Sequence, residues 1–301
     1  MSEDFELTLF DRLEVIRTVI NQYGEENFYI AFSGGKDSMI LHNIIDIALP
    51  KNKIPRVYTN TGIEYSLMVK YVRTLAQNDP RIVIINSGVN IRKMLEEKGY
   101  PFKSKEHSLR VEHFNKGNNS NFIKKYMRLT DYTGPYVCPK SLMYQFEERG
   151  KYNYSNKCCY ELKKKPAHKW AKENHKTIVI TGLRQEEGGT RKNSKGCIVY
   201  NSTGGGIKSF KPLNPITDNF EQWFIQKYNI KLCDLYYPPY SFQRTGCKGC
   251  PYNLNLQHDL DKMATYLPAE RQQCETLWKP IYDEYRRLNY RLTKNEQIKL
   301  F

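Results

Sequence analysis

The sequence predicts an α/β protein with a doubly wound, mostly parallel β-sheet and a helical segment at the C-terminal end. Two observations lead to this prediction. Short apolar runs alternate along the chain with longer segments whose apolar residues recur at helical spacing. One such run, Phe28–Phe32, ends in a glycine turn, and an apolar helical pattern follows at once. Strand, turn and helix in this order are typical of parallel sheets covered by helices.

The elements follow in order along the chain. A first amphipathic helix is predicted because Leu9, Leu13, Ile16 and Ile20 share one helical face. Strands are predicted at residues 28–32, 56–59, 81–85 and 176–181, and a β-hairpin at 197–210 turns at three glycines. Helices are predicted at residues 5–22, after the loop at 33–38, at 65–77, at 217–229 with Thr217 or Asp218 as N-cap, and around Cys274.

Composition and charge limit the class of protein. The chain has 301 residues and a formal net charge of +15, which favours an anionic partner, either nucleic acid or a charged nucleotide. No stretch approaches the roughly 20 apolar residues of a membrane span, and the acidic N-terminus lacks a signal-peptide pattern. We therefore expect a cytoplasmic protein without membrane contact, whose eight cysteines are metal ligands or nucleophiles rather than disulfides.

The loop after the first strand predicts a phosphate-binding site. It reads Ser33, Gly34, Gly35, Lys36, Asp37 and Ser38. The glycines let backbone N–H groups approach an anion, the helix N-terminus adds its positive dipole end, and Lys36 adds a charge. Asp37 would repel phosphates unless a cation such as Mg²⁺ lies between them.

Two further strand ends are expected to contribute to the same site, because ligands collect at the carboxyl ends of parallel strands. Thr61 and Gly62 follow the second strand and are expected to contact nucleotide. After the strand at 176–181 the chain has three glycines and two arginines within ten residues. Gly182, Arg184 and Arg191 are the members expected to bind phosphate from the opposite side.

Residues 100–137 form a basic insertion in which lysines and arginines alternate with aromatic residues. Such a pattern suits nucleic acid, because bases stack on rings while cations meet phosphates. A solvated segment that covers the sheet edge is the alternative.

Four cysteines form two tight pairs, Cys158 with Cys159 and Cys247 with Cys250. A set of four thiolates can hold zinc or an iron–sulfur cluster. Adjacent cysteines suit zinc poorly, whereas a 4Fe-4S cluster offers different irons to neighbouring thiolates, so the cluster is favoured.

Together these motifs resemble the phosphoadenosine phosphosulfate (PAPS) reductase family within the PP-loop ATP pyrophosphatase superfamily. The motifs are the Ser-Gly-Gly-Lys-Asp-Ser loop, the Thr-Gly-Leu-Arg segment, the Lys-Pro-Leu-Asn-Pro-Ile stretch and the cysteine pairs, in one order over roughly residues 27–252. The paired cysteines are similar to those of cluster-bearing adenosine phosphosulfate (APS) reductases. The resemblance implies an adenine nucleotide α-hydrolase-like fold at residues 1–252, with 253–301 as a helical extension packed on it. It also implies a 4Fe-4S cluster, with Lys163 as a cation beside it.

One departure from the family affects the expected reaction. Sulfonucleotide reductases carry a nucleophilic cysteine in a C-terminal tail, but residues 282–301 contain no cysteine. We therefore expect ATP-dependent adenylylation coupled to sulfur transfer onto DNA or tRNA, with a cysteine desulfurase as sulfur donor. The alternatives are an APS or PAPS reductase that works with thioredoxin, using Cys138, Cys197 or Cys274, and a non-catalytic nucleotide or nucleic-acid binder.

Overall fold

The structure is a computed structural model, and it describes residues 4–134, 136–188, 196–202 and 206–293. Packing divides the chain into two units, each of which combines two stretches of sequence. Unit 1 comprises residues 1–87 and 165–246, and unit 2 comprises residues 88–164 and 247–301. The domain boundary expected at residue 252 stays a prediction.

The secondary structure follows the predicted alternation of strands and helices. The strands are β1 (Phe28–Phe32), β2 (Arg56–Asn60), β3 (Ile82–Asn86), β4 (Ile178–Ile180), β5 (Ile198–Tyr200) and β6 (Ile207–Phe210). The helices are α1 (Phe5–Tyr23), α2 (Lys36–Ala48), α3 (Ser66–Asn78), α4 (Ile91–Lys98), α5 (Lys105–Asn115), α6 (Asn121–Tyr126), α7 (Lys165–Glu173), α8 (Asp218–Lys227), α9 (Leu256–Tyr266), α10 (Pro268–Leu277) and α11 (Lys279–Leu288).

All six of these strands form one sheet in unit 1, in the order β3-β2-β1-β4-β6-β5. Every neighbouring pair is parallel except β5 and β6, which are the predicted antiparallel hairpin. The turn glycines of that hairpin lie partly outside the described residues. The strand order reverses between β1 and β4, which is where doubly wound proteins bind ligands. The predicted fold class is confirmed, and the loop at residues 33–38 follows β1 at this reversal.

Local sequence explains where two of the helices begin. The Asp4 carboxylate accepts a hydrogen bond from the Leu7 N–H at 3.1 Å, so Asp4 is the N-cap of α1. Thr217 caps α8 in the same way, accepting from the Phe220 N–H at 3.1 Å, as predicted. The predicted bounds of both helices are confirmed to within two residues. β4 is shorter than the predicted strand at 176–181.

Unit 2 is built from α4, α5, α6 and the C-terminal helices α9, α10 and α11. The basic insertion lies in this unit and contains α5 and α6. Its interior includes a buried ring, His107, whose Nε2 donates to Gln145 Oε1 and whose Nδ1 accepts from the Tyr126 hydroxyl, both at 2.7 Å. Within the described part of both units, no helix combines the length and the apolar character needed to cross a bilayer.

Candidate functional site

Hydrogen bonds among its own polar groups stabilise the conformation of the loop between β1 and α2. The Ser38 hydroxyl donates to the Gly35 carbonyl at 2.9 Å, and the two serine hydroxyls of Ser33 and Ser38 lie 3.1 Å apart. The Lys36 N–H donates to the Tyr236 hydroxyl at 3.2 Å. The first N–H groups of a helix have no partner within the helix, so the N-terminus of α2 favours an anion here.

Glycine is required at position 34 for two reasons. Its φ of +72° lies in the left-handed region that side chains rarely adopt, and a Cβ there would come 2.6 Å from Met68 Sδ and 2.7 Å from Val72 Cγ2 on α3. Gly182 is needed for close approach only, since a Cβ would lie 2.9 Å from the Asp37 carbonyl oxygen. The end of β4 therefore packs directly against the start of α2.

Two predicted site residues, Asp37 and Arg184, are brought together although 147 positions separate them. The Arg184 Nε donates to Asp37 Oδ1 at 2.5 Å, and its terminal nitrogens lie 2.8 Å from Asp218 Oδ1 and 2.6 Å from Glu221 Oε2. Arg184 is only 5% exposed. The arginine that was expected to bind phosphate thus has three carboxylates of its own unit within 2.8 Å.

Glu221 is a site residue that sequence reasoning missed. It lies buried on α8, where its Oε1 is 3.3 Å from Lys36 Nζ and its Oε2 contacts Arg184. Burial raises the pKa of Glu221, the charge of Asp37 raises it further, and Arg184 and Lys36 oppose this shift. Burial lowers the pKa of Arg184, but the charges of Asp37 and Glu221 outweigh it and raise that pKa above its usual range. These four side chains form a charge network at the loop, which we call the loop network.

The residues that follow β2 border an open cavity, but the threonine hydroxyl among them is already hydrogen-bonded within the protein. The Thr61 N–H and hydroxyl both bond to the Glu64 carboxylate at 2.8–2.9 Å, so the predicted Thr61 contact would have to break these bonds. Gly62 lines a cavity of about 550 Å³, together with Lys70 and Arg73 of α3. This volume is in the range of small-molecule sites. Arg191, the second arginine predicted to bind phosphate, lies outside the described residues.

In unit 2, aromatic side chains fix the turn that carries Cys247 and Cys250. The Trp278 indole donates to the Lys248 carbonyl at 3.3 Å, and the Tyr282 hydroxyl donates to the Gly249 carbonyl at 2.5 Å. Gly249 has a φ of +59°, and a Cβ there would lie 2.5 Å from the Tyr282 hydroxyl. The turn thus needs a glycine between its two cysteines.

The other pair, Cys158 and Cys159, begins the helical segment that continues as a π-helix at Tyr160–Lys164. A hydrogen bond from the Cys158 thiol lowers the pKa of Cys159, and the charges of Lys105, Lys163 and Lys164 lower it as well, against the effect of burial. The same bond and burial raise the pKa of Cys158. Lys163, predicted as a cation near the thiolates, therefore acts on Cys159.

The other three thiols lie within electrostatic range of Cys158. The charges of Cys159, Cys250 and Cys247 each contribute to raising the pKa of Cys158. Among the described residues, no group of three or more His, Cys, Asp or Glu side chains has the arrangement of a metal-ion site. Four thiols are the donor set that 4Fe-4S clusters take in proteins, where each thiolate binds a different iron.

The cysteines outside these pairs differ in accessibility. Cys138 and Cys274 are fully buried, and burial raises the pKa of each thiol to about 12. Cys197 is partly exposed and accepts a hydrogen bond from Arg12 at 3.2 Å. Of the three thiols considered as nucleophiles, two are thus shielded and protonated.

The sheet order, the glycine loop at the strand-order reversal and the charge network define a doubly wound α/β protein with a nucleotide-binding type of site. Residues 135–253, fewer than half of the chain, match the model of the phosphoadenosine phosphosulfate reductase domain, in agreement with the resemblance that the motifs indicated. The matched stretch contains both cysteine pairs, Arg184 and Glu221, whereas the loop at 33–38 precedes it. No curated protein matches the chain.

Several solved structures are distantly similar to this chain. A PAPS reductase from Candida auris, in a phosphate complex, has 15% identity and a TM-score of 0.45, covering 78% of this chain and 87% of that one. An FMN adenylyltransferase from Candida glabrata has 10% identity and a TM-score of 0.46, covering 82% and 64%. An NH3-dependent NAD synthetase from Campylobacter jejuni, in complex with nitrate, has 12% identity and a TM-score of 0.39, covering 95% and 96%. These similarities are too distant to assign an activity.

Proposed function

We propose that this protein is an ATP-dependent enzyme that adenylylates its substrate, releases pyrophosphate and supports sulfur transfer onto nucleic acid. The observation that carries the proposal is the loop network, in which Lys36, Asp37, Arg184 and Glu221 meet at the N-terminus of α2. Two cations and a helix N-terminus at a strand-order reversal suit the phosphates of a nucleotide.

The proposed reaction has two stages, adenylylation of the substrate and transfer of sulfur. An oxygen of the substrate attacks the α-phosphorus of ATP, the bond between the α-phosphorus and the bridging oxygen breaks, and pyrophosphate leaves. The terminal sulfur of a persulfide, supplied by a cysteine desulfurase, then attacks the atom that carries the activated oxygen; the bond to that oxygen breaks, AMP leaves with the oxygen, and the persulfide loses its proton. A second thiol then attacks the carrier sulfur and breaks the S–S bond, so that the transferred sulfur stays on the substrate while the two thiols are oxidised to a disulfide. The loop N–H groups and the Ser33 and Ser38 hydroxyls would hold the phosphates, and Lys36 would offset charge on the leaving pyrophosphate.

Binding of nucleotide would rearrange the loop network by an exchange of partners. A phosphate competes with Asp37 for Arg184, and Mg²⁺ competes with Arg184 for Asp37. Both side chains keep an opposite charge as a partner throughout this exchange. Asp37 is about one-third exposed, so Mg²⁺ with its waters can reach it. The cavity beside Gly62 would receive the adenosine.

We propose further that Cys158, Cys159, Cys247 and Cys250 hold a 4Fe-4S cluster. When bound, such a cluster supplies a site for carrying sulfur or a structural support. Lys105, Lys163 and Lys164 would offset the negative charge of the thiolates, since their charges already act on Cys159. The aromatic donors Trp278 and Tyr282 keep the second pair in its turn.

An APS or PAPS reductase working with thioredoxin is the second candidate, and the family match favours it. That reaction needs an accessible thiolate to attack sulfur. Cys138 and Cys274 are buried with raised pKa values, which leaves Cys197 as the partly exposed thiol of the three. Because two of the three candidate nucleophiles are shielded, the ATP-dependent reaction is the first candidate.

The test uses the full chain purified without oxygen. Iron and sulfide are measured in the wild-type protein, in Cys250→Ser and in the control Cys138→Ser. We expect Cys250→Ser to lose iron and Cys138→Ser to keep it. Pyrophosphate release from ATP is then followed with and without tRNA or DNA. Release that needs nucleic acid supports adenylylation, whereas conversion of APS or PAPS to sulfite with thioredoxin, without ATP turnover, would establish the second candidate.

A further inference from the structure

An exposed patch in unit 2 combines aromatic rings with cations. Phe122, Tyr132 and Tyr136 are 45%, 38% and 65% exposed, although large rings are normally buried. The exposed cations Lys124, Lys125 and Arg128 lie between them in the sequence. We call these six residues the aromatic–basic patch.

Local contacts hold the patch together in space. Lys125 Nζ lies 5.6 Å from the centre of the Tyr132 ring, which joins the end of α6 to the segment that follows. The Cys138 N–H donates to the Tyr126 carbonyl at 2.8 Å, and Arg128 Nε donates to the Cys138 carbonyl at 2.8 Å. The chain therefore folds back on α6, so that the segment bearing Tyr136 returns to the helix that carries Lys124 and Lys125.

We propose that the aromatic–basic patch binds single-stranded nucleic acid, with bases stacked on Tyr132 and Tyr136 and phosphates on Lys124 and Lys125. Exposed rings suit unpaired bases, whose faces are open, whereas a duplex hides its bases from stacking. The cations within the same short segment outnumber its one acidic residue, Asp131, and so complement phosphate. This inference rests on the proposed function and names the form of nucleic acid that it uses.

Binding is measured by fluorescence anisotropy, without ATP, using a labelled single-stranded oligonucleotide of about 16 nucleotides and the matching duplex. The full chain is expected to bind the single strand more tightly. Tyr132→Ala and Tyr136→Ala are each expected to weaken binding about fivefold or more, because a base loses its stacking partner. Tyr200→Ala, at an exposed ring of unit 1, is the control and should bind as the wild type does.

The charge contribution is tested by salt dependence. Lys124→Glu with Lys125→Glu should reduce the slope of log affinity against log salt by about 1.4, the amount expected for two lost phosphate contacts on a single strand. Lys93→Glu with Lys98→Glu makes the same charge change on α4 of the same unit and should alter the slope far less. Thermal unfolding midpoints establish that each variant is folded.

The outcomes separate this inference from the proposed function. Oligonucleotide binding that survives in Lys36→Ala supports the patch even if no pyrophosphate is released. Tighter binding of duplex, equal weakening by both lysine pairs, or binding to vesicles of anionic lipid without binding to the oligonucleotide would each overturn the inference.

Discussion

Arg184 Nε lies 2.5 Å from Asp37 Oδ1, and this contact joins the end of β4 to the first turn of α2. Both residues were expected to face phosphate or Mg²⁺, yet in this structure each neutralises the other. In the proposed mechanism this pair is the resting arrangement of the site. A phosphate would replace Asp37 as the partner of Arg184, and Mg²⁺ would replace Arg184 as the partner of Asp37.

Removing the arginine should affect stability more than removing its exposed partner. Arg184→Ala leaves the buried Glu221 carboxylate without its closest cation, and we expect a loss of about 3 kcal/mol or more in the free energy of unfolding. Asp37→Asn removes a carboxylate that is one-third exposed, so the loss should be much smaller. Urea denaturation of both variants measures this difference, and equal losses would contradict the central position of Arg184.

Glu221 is expected to compete with anions for the cations of the loop network. Glu221→Gln keeps the shape of the side chain but frees Lys36 and Arg184 from its charge, so pyrophosphate should bind several-fold more tightly without Mg²⁺. Calorimetric titration with pyrophosphate measures the change. Glu173→Gln, an exposed site on α7 of the same unit, is the control. Weaker binding in Glu221→Gln would show that the carboxylate does not oppose anions.

At position 34, the effect of close packing against α3 on stability can be measured separately from the effect of backbone strain. Gly34→Ala and Gly88→Ala both place a side chain at a positive φ, +72° and +66°, but only position 34 has atoms within 3 Å of the added Cβ. Gly34→Ala should therefore lower the urea midpoint more and also weaken nucleotide binding. Equal effects of the two substitutions would mean that strain alone requires the glycine.

Acid should destabilise unit 2 through His107. Burial lowers its pKa to about 4, and Lys103 adds to this, so the folded protein keeps the ring neutral where the unfolded chain takes up a proton. Above pH 6.5 the ring is neutral in both the folded and the unfolded state and does not reduce stability. The free energy of unfolding falls as the pH falls from 6.5 towards 4. Between pH 7.5 and 5.0 the expected loss is about 2 kcal/mol.

His107→Gln is the matched variant for this pH dependence, because it removes the titrating ring. Urea midpoints of the wild type and the variant are compared at pH 7.5 and 5.0. The variant should lose less stability over this interval. The same loss in both proteins would place the acid sensitivity elsewhere.

The sequence predicted the parts of the fold that local patterns determine. The run Phe28–Phe32 is apolar and stops at a glycine turn, and β1 has these bounds. Thr217 precedes an acidic first turn and caps α8. The contacts of Arg184 could not be predicted from local sequence, because its partners lie 34 to 147 positions away and their pairing depends on the sheet order.

Glu221 was missed because its place in the sequence has an ordinary structural explanation. On α8 it lies in an acidic first turn, where a carboxylate ordinarily complements the helix dipole. Its burial against Lys36 follows only from the packing of α8 on α2. A buried acidic residue on the apolar side of a helix, next to Phe220 and Phe224, is the pattern that would have indicated it.

The central claim, that the loop at residues 33–38 binds an anionic nucleotide, is tested most directly by calorimetry with ATP and Mg²⁺, APS and PAPS. The wild type should bind at least one of them, Lys36→Ala should bind it about tenfold more weakly or worse, and Lys169→Ala, an exposed lysine on α7, should be unchanged. Failure of the wild type to bind any of the three, or equal affinity in Lys36→Ala, would contradict the account.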